Sequence, residues 1–143
     1  MTDPGAPLLD AASSAALTVK ANAAGASAVA VLAVAPDAHA GRRLLLTVAP
    51  GEKEQVHGTL GSAALDATAL TAARAALADP RHRDGLAALA EGVEAYLEVR
   101  RPVPDLVIVG AGHIALPTSR IGAELGFRVW VIDLTASPPA LAA

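Results

Sequence analysis

The chain has 143 residues, enough for one ordinary domain or for two small units that share a core. Its formal net charge is −3, from 11 basic and 14 acidic side chains spread along the chain, so charge gives no reason to expect nucleic acid or an anionic membrane as a partner. The absence of cysteine excludes disulfides, thiolate catalysis and cysteine metal sites, and the four histidines match no zinc-ligand spacing.

The cellular compartment is predicted from the first forty residues. Lys20 precedes an apolar stretch, and Ala38-His39-Ala40 resembles a signal-peptidase cleavage site. The residues before Lys20 carry two aspartates and no basic side chain, unlike the n-region of a signal peptide. No apolar stretch reaches the roughly 18 residues that a membrane-spanning helix needs. We therefore expect a cytoplasmic protein that does not bind a membrane.

The first half of the chain predicts a helix, a buried strand, a hairpin and a second helix. Gly25 ends the first helix and begins the strand, which Pro36 ends before a loop over 37–41. Pro50-Gly51 forms the hairpin turn. Ser62 or Asp66 caps the second helix, which ends at Asp79-Pro80. The first helix is predicted over 8–19, the buried strand over 28–35, the two hairpin strands over 43–48 and 55–60, and the second helix over 64–78. In the second helix, Leu70, Ala73 and Leu77 lie on one face.

The pattern changes near residue 93. Residues 81–92 favour no single structure, whereas 93–100 alternates between apolar and polar side chains, which indicates a half-exposed strand. A helix over 93–100 is the alternative, since glutamate, alanine and leucine are good helix formers. Arg101-Pro-Val-Pro104 can continue neither element, so we predict a boundary there, between domains 1–100 and 104–143.

Beyond the boundary the pattern is β-α-β. Strands are predicted over 106–109 and 128–132 and a helix over 114–125, with Gly126 at the usual place of a helix C-terminal glycine. The fold class is therefore α/β, with a small N-terminal α+β unit followed by an incomplete Rossmann-like β-α-β.

The stretch V-I-V-G-A-G-H-I-A, residues 107–115, has the form of a dinucleotide-binding turn. Gly110 permits the tight turn, Gly112 removes a Cβ that would block a pyrophosphate, and Ala115 lets the helix pack closely on the strand. Asp133 follows Gly110 by 23 residues (133 − 110), where the ribose-binding carboxylate belongs. An acid there favours NAD-like or adenosine ligands over NADP.

Two simpler interpretations stand beside this one. The glycines could serve only a tight β-α turn, with Asp133 capping a strand end. His113 lies in the first turn of the helix, whose dipole disfavours imidazolium. It either contacts a bound ligand or is a solvated loop histidine.

Two segments in the second half resemble the XdhC/CoxI family. They are Pro104-Asp-Leu-Val-Ile-Val-Gly-Ala-Gly-His-Ile-Ala-Leu-Pro117 and Leu125-Gly-Phe-Arg-Val-Trp-Val-Ile-Asp133, which match the start of that family's C-terminal Rossmann domain. In the N-terminal half, Gly58-Thr-Leu-Gly-Ser-Ala-Ala-Leu-Asp66 is similar to a glycine-rich turn that ends in an acid. The resemblance is to members that are accessory proteins for molybdenum hydroxylases such as xanthine dehydrogenase.

The resemblance implies binding of molybdenum cofactor and its delivery to the hydroxylase apoenzyme, without catalysis by this chain. It places a cofactor role on Gly58, Gly61 and Asp66, and a nucleotide role on Gly110, Gly112 and Asp133. The family's triple glycine here is Gly61-Ser62-Ala63-Ala64, and Asp66 replaces the usual glutamate. A doubly wound nucleotide-binding half needs three parallel strands, and this chain supplies two. We therefore expect a truncated member whose uncovered strands recruit a partner chain, as in a homo-oligomer, or aggregate.

The leading hypothesis is thus an accessory protein that binds molybdenum cofactor or an NAD-like dinucleotide. The alternatives are a remnant that acts only through protein association and a fragment of an NAD-dependent oxidoreductase. The fragment has neither a substrate domain nor an obvious acid–base pair.

Overall fold

The computed structural model describes residues 8–133, and the chain divides into two compact units, Met1–Pro102 and Val103–Ala143. The fold is mixed α/β, as predicted, with a partial Rossmann-like arrangement in the second unit. Along the chain the elements are α1 (Ala11–Ala23), β1 (Ser27–Ala35), β2 (Arg43–Val48), β3 (Gln55–Gly58), α2 (Ala63–Ala78), β4 (Gly85–Ala88), a 3-10 turn (Ala90–Gly92), β5 (Glu94–Arg100), β6 (Asp105–Val109), α3 (Ala115–Glu124) and β7 (Arg128–Ile132).

The first unit is built on an antiparallel sheet with the strand order β3-β2-β1-β5-β4. β1 lies in the middle, and its Val31 pairs with Leu44 of β2 on one side and Leu97 of β5 on the other. Side chains alternate along β1, so Val29 and Val31 face α2 and are fully buried there. The apolar core of this unit therefore lies between α2 and one face of the sheet.

The opposite face of the sheet carries α1, which packs against β1 and β2. α1 begins at Ala11 rather than Leu8, because the Asp10 side chain accepts a hydrogen bond from the backbone N–H of Ser13 (2.7 Å) and caps the helix. Ser14 is the buried residue of this alanine-rich helix. Small side chains along α1 leave space between the helix and β5.

The structure decides between the two residues predicted as the N-cap of α2. Ser62 is the N-cap, since its Oγ accepts a hydrogen bond from the N–H of Leu65 (3.1 Å), whereas Asp66 lies inside the first turn. The prediction that Leu70, Ala73 and Leu77 share one face is confirmed, since Ala73 lies in the core and the two half-buried leucines pack against it. The fully enclosed apolar positions are Leu65, Ala69, Ala73 and Ala76.

The strand prediction for 93–100 is confirmed and the helix alternative is wrong. β5 pairs with β1 and with β4, which occupies part of the unassigned segment 81–92. The predicted strand 55–60 ends earlier, at Gly58, where φ is +75° and the extended backbone stops.

The second unit contains a parallel pair, β6 and β7, joined by α3. Its helix and strands lie within one residue of the predicted bounds. Leu106 and Val129 face α3, and a Cβ built on Gly122 of the helix would lie within 3.2 Å of both side chains. In residues 8–133, no helix combines the length and apolar character that crossing a membrane requires.

Candidate functional site

The glycine turn between β6 and α3 is fixed by the parallel strand pair. Val109 pairs with Ile132, and the N–H of the next residue, Gly110, donates a hydrogen bond to the Ile132 carbonyl (2.8 Å). Gly110 has φ +100°, a region that side chains other than glycine rarely adopt. The first glycine of the motif is therefore required by the backbone conformation of the turn.

Gly112 is different, because nothing in residues 8–133 requires a glycine there. Its φ is not in the left-handed region, and no heavy atom of these residues, its two chain neighbours aside, lies within 4 Å of a Cβ built on it. A side chain at Gly112 would extend into open space beside the turn. The structure is compatible with the predicted role of this glycine, which is to let a ligand approach the backbone.

Asp133 lies directly beside the turn, at the end of β7. Its Oδ2 accepts a short hydrogen bond from the backbone N–H of Ala111, the residue between the two glycines. The acid predicted to bind a ribose is thus brought against the turn predicted to bind a pyrophosphate. The contact joins the end of β7 to the glycine turn, so it is also compatible with the simpler interpretation, in which Asp133 caps a strand end.

The start of α3 leaves backbone donors available. The preceding residue, Ile114, makes no side-chain capping hydrogen bond. The N–H groups of Gly112 and His113 donate to no backbone carbonyl within residues 8–133. Unpaired N–H groups at a helix N-terminus attract anions through their partial positive charge. The His113 side chain is exposed beside them, whereas Ala115 is buried against the strands.

The second predicted site, at residues 58–66, has a different character. A Cβ on Gly58 would lie 2.4 Å from the Arg43 carbonyl oxygen, and one on Gly61 would lie 2.0 Å from Nη1 of Arg42. Both glycines therefore accommodate neighbouring parts of the same chain. A cofactor role for them stays a prediction, and the turn leaves no open cradle at either position.

Asp66 is 2% exposed, and its carboxylate is used inside the turn. Oδ1 accepts a hydrogen bond from the N–H of Leu60 (2.7 Å), and Oδ2 accepts one from the Thr59 hydroxyl (2.8 Å). Thr59 Oγ1 in turn accepts from the N–H of Gly61 (3.0 Å). Through these hydrogen bonds the Asp66 carboxylate stabilises the connection between β3 and α2.

Two residues near this turn were not singled out from the sequence. The Arg42 guanidinium covers Gly61. The Ser62 hydroxyl donates a hydrogen bond to the Glu91 carboxylate (3.1 Å). The backbone of Glu91 has a φ of +57°. The sequence carries no signal for either contact, because Glu91 is 29 positions from Ser62 and lies in the segment that favoured no single structure.

Charged pairs with shifted pKa values lie on the surface of the first unit. The hydrogen bond from Arg74 lowers the pKa of Glu54, and the two side chains are 2.7 Å apart. The N–H of Val99 and the guanidinium of Arg100 lower the pKa of the Asp84 carboxyl. Within residues 8–133, no three His, Asp or Glu side chains are grouped so that they could hold a metal ion.

No protein-family model matches the chain, and no curated protein sequence is significantly similar to it. The functional argument therefore depends on the residues and geometry of the glycine turn.

Proposed function

We propose that the protein is a cytoplasmic accessory protein for a molybdenum hydroxylase of the xanthine dehydrogenase type. In this proposal it binds a dinucleotide or the molybdenum cofactor at the glycine turn of the second unit and delivers the cofactor to the apoenzyme. The observation that carries the proposal is the contact between Asp133 and the Ala111 N–H, which brings the predicted ribose-binding acid to the predicted phosphate-binding turn.

The ligand chemistry follows from the donors at the turn. Phosphate groups occur in both a dinucleotide and the molybdenum cofactor, and the N–H groups of Gly112 and His113 suit such an anion. The open space at Gly112 admits it. When bound, the molybdenum cofactor would bring the redox centre of the hydroxylase, and this chain would contribute only binding and orientation.

At the turn of residues 58–66, the Arg42 side chain lies over Gly61, and the Asp66 carboxylate accepts hydrogen bonds from within the turn. The proposal therefore assigns phosphate binding to the second unit alone.

The test is calorimetric titration of the full chain with NAD⁺, ADP and isolated molybdenum cofactor. We expect saturable binding that Gly112→Val weakens at least about tenfold, a loss of about 1.4 kcal/mol. Asp133→Ala should weaken it too. Gly112→Val should still fold, because its φ is ordinary and the site of its Cβ is open. Ala123→Val, on the exposed side of α3, is the matched control.

Two results would count against the proposal. The absence of heat with all three ligands would exclude a working phosphate site at the turn. Equal affinity of Gly112→Val and the wild-type chain would place binding elsewhere. Delivery is tested separately, by the activity that a cofactor-free hydroxylase gains from the loaded protein.

A second candidate function, association with another copy of the chain, is favoured by one surface. The face of β6 and β7 that points away from α3 exposes Val107 and Trp130, each at 53%, as well as Val109 at 84% and Ile132 at 53%. Contiguous apolar surface of this kind is typical of association sites. Sedimentation velocity should then show a dimer that Val109→Lys dissociates. A monomer at all concentrations would exclude this function.

A further inference from the structure

A groove of about 320 Å³ lies in the first unit, between the second half of α1 and the hairpin of β2 and β3. Binding sites for small molecules start at about this size. α1 turns one face toward the groove, with residues three and four positions apart, namely Leu17, Lys20, Ala21 and Ala24. The hairpin forms the other side, so a helix and a sheet face each other across the groove.

The sheet side carries a strip of polar side chains. Thr47 pairs with Gln55 across the two strands, and His57 lies two residues after Gln55. All three side chains therefore point to the same face of the sheet, and all three line the groove. None of them makes a side-chain hydrogen bond within residues 8–133. Hydroxyl, amide and imidazole groups are thus available to donate hydrogen bonds to an anion.

Thr47 is the most enclosed member of this strip. The residue is 9% exposed, and its hydroxyl has no hydrogen-bond partner within residues 8–133. The oxygen is not sealed from solvent, so a molecule in the groove can reach it. Buried polar groups are nearly always hydrogen-bonded. An acceptor oxygen that enters the groove would give this hydroxyl its partner.

The positive charge of the groove comes from lysine. The chain contains two lysines, Lys20 and Lys53, and both line this groove. Lys20 belongs to α1 and Lys53 to the turn of the hairpin, so the two ammonium groups come from different sides. Neither forms an ion pair within residues 8–133, and the same holds for Glu52, a carboxylate that also lines the groove.

The placement of these charges indicates the class of ligand. A compact anion such as sulfate concentrates its charge at one point. A short chain with a carboxylate at each end can meet both ammonium groups at once. Its methylene groups would then lie against the apolar side chains between them, such as Leu17 and Ala21.

We propose that this groove binds a small aliphatic dicarboxylate. One carboxylate pairs with Lys20 and the other with Lys53, and the Thr47 hydroxyl donates a hydrogen bond to the ligand. The site lies within the first unit. It is separate from the glycine turn and does not depend on the function proposed for that turn.

The experiment is an NMR titration of the full chain with glutarate at low ionic strength, after ¹³C reductive methylation of the lysines. Methylation keeps the positive charge of each ammonium group and gives each lysine its own signal. We expect both signals to follow one binding curve, with a dissociation constant of about 1–5 mM for a ligand of this size. Butyrate, with one carboxylate, and sulfate, a compact dianion, should each bind at least about threefold more weakly.

Each lysine also reports on the loss of the other. In Lys53→Met the Lys20 signal should show glutarate binding weakened at least about threefold, and in Lys20→Met the Lys53 signal should do the same. Lys20 lies in the last turn of α1, where a cation also stabilises the helix, so Lys53→Met is the cleaner variant. Arg81→Met removes the same charge from an exposed position outside the groove and should leave the affinity unchanged.

Two further variants test the other polar groups. Thr47→Val should weaken glutarate binding without lowering the midpoint of thermal unfolding, because valine has the same shape and the hydroxyl that it replaces has no partner. Glu52→Gln should strengthen binding about twofold, since it removes a negative charge that repels the ligand. Gly112→Val, in the second unit, should bind glutarate as the wild-type chain does.

Four results of the titrations would overturn the inference. They are the absence of a shift in either lysine signal, different dissociation constants from the two signals, sulfate binding as tight as that of glutarate, and equal affinity of Lys53→Met and Arg81→Met. Weaker binding by Glu52→Gln would likewise overturn it, by showing that the ligand brings a positive charge to this carboxylate.

Discussion

The Asp66 carboxylate accepts a hydrogen bond from the backbone N–H of Leu60, six residues earlier, at 2.7 Å. The bond crosses from the first turn of α2 to the segment that follows β3, and the Thr59 hydroxyl binds the other oxygen at 2.8 Å. Both contacts are buried. One side chain thus fixes the path of the chain between a strand and a helix, in the turn where the resemblance predicted a cofactor.

Replacing Asp66 with alanine should destabilise the first unit by about 2–3 kcal/mol, because two buried donors lose their acceptor. Asp66→Asn should cost less, since its amide oxygen can still accept from Leu60. Urea denaturation followed by far-UV circular dichroism measures the difference. An unchanged urea midpoint for Asp66→Ala would contradict this structural role. Weaker cofactor binding at unchanged stability would instead support the role that the resemblance predicted.

Gly58 and Gly51 form a matched pair, because both have φ +75°. A Cβ at Gly58 would lie 2.4 Å from the Arg43 carbonyl oxygen, whereas a Cβ at Gly51 would meet no described atom within 4 Å apart from those of its chain neighbours. Gly51→Ala should therefore cost about 1–2 kcal/mol from the left-handed backbone alone. Gly58→Ala should cost about 1–3 kcal/mol more, because the carbonyl must move. Equal urea midpoints for the two variants would show that the β3 connection adjusts freely.

The elements of the fold were predictable wherever the signal is local. The alternation from Val93 to Arg100 identified β5, and the glycines at 110, 112 and 126 located the ends of β6 and α3. Asp133 could be placed near the glycine turn because its spacing from Gly110 is that of a complete strand–helix–strand unit. Short-range periodicity and the residues typical of turns therefore predicted most of the secondary structure.

What could not be predicted depends on contacts between distant segments. The strand order follows from pairing of β1 with β5, whose paired residues are 59 to 72 positions apart along the chain. Asp66 looked equally suited to a helix cap or a ligand, since its partners depend on the path that the chain takes after β3. The groove beside α1 required knowledge of which strands the helix covers. None of these features leaves a periodic signal in the sequence.

Gly122 is a packing position that the motif did not include. A Cβ there would lie 2.5 Å from Leu106 Cδ2 and 3.2 Å from Val129 Cγ2, so α3 touches both strands at this residue. Gly122→Val should destabilise the second unit by about 1–3 kcal/mol through overpacking, although valine itself is a slightly better helix former than glycine. Thermal unfolding followed by Trp130 fluorescence reports on this unit. Ala123→Val, exposed on the same helix, controls for the β-branched side chain, and equal losses would refute close packing at Gly122.

The ion pair between Asp84 and Arg100 predicts an acid-sensitive first unit. The N–H of Val99 and the Arg100 guanidinium lower the pKa of Asp84 in the folded state below its value in the unfolded chain. A carboxyl of this kind contributes stability that is fully present above the unfolded pKa and is lost as the pH falls through the folded pKa. The free energy of unfolding should therefore decline as the pH is lowered from about 5 to about 2.

Asp84→Asn keeps an acceptor for the Val99 N–H and removes the titrating charge. Its unfolding free energy should be lower than that of the wild-type chain at pH 7 and should decline less steeply below about pH 5, because the unfolded state no longer gains a proton at this position. Asp37→Asn, in the exposed loop before β2, is the control and should follow the wild-type profile. Urea midpoints measured at intervals from pH 7 to pH 2 give both slopes. Parallel curves for Asp84→Asn and the wild-type chain would mean that this ion pair does not link protonation to folding.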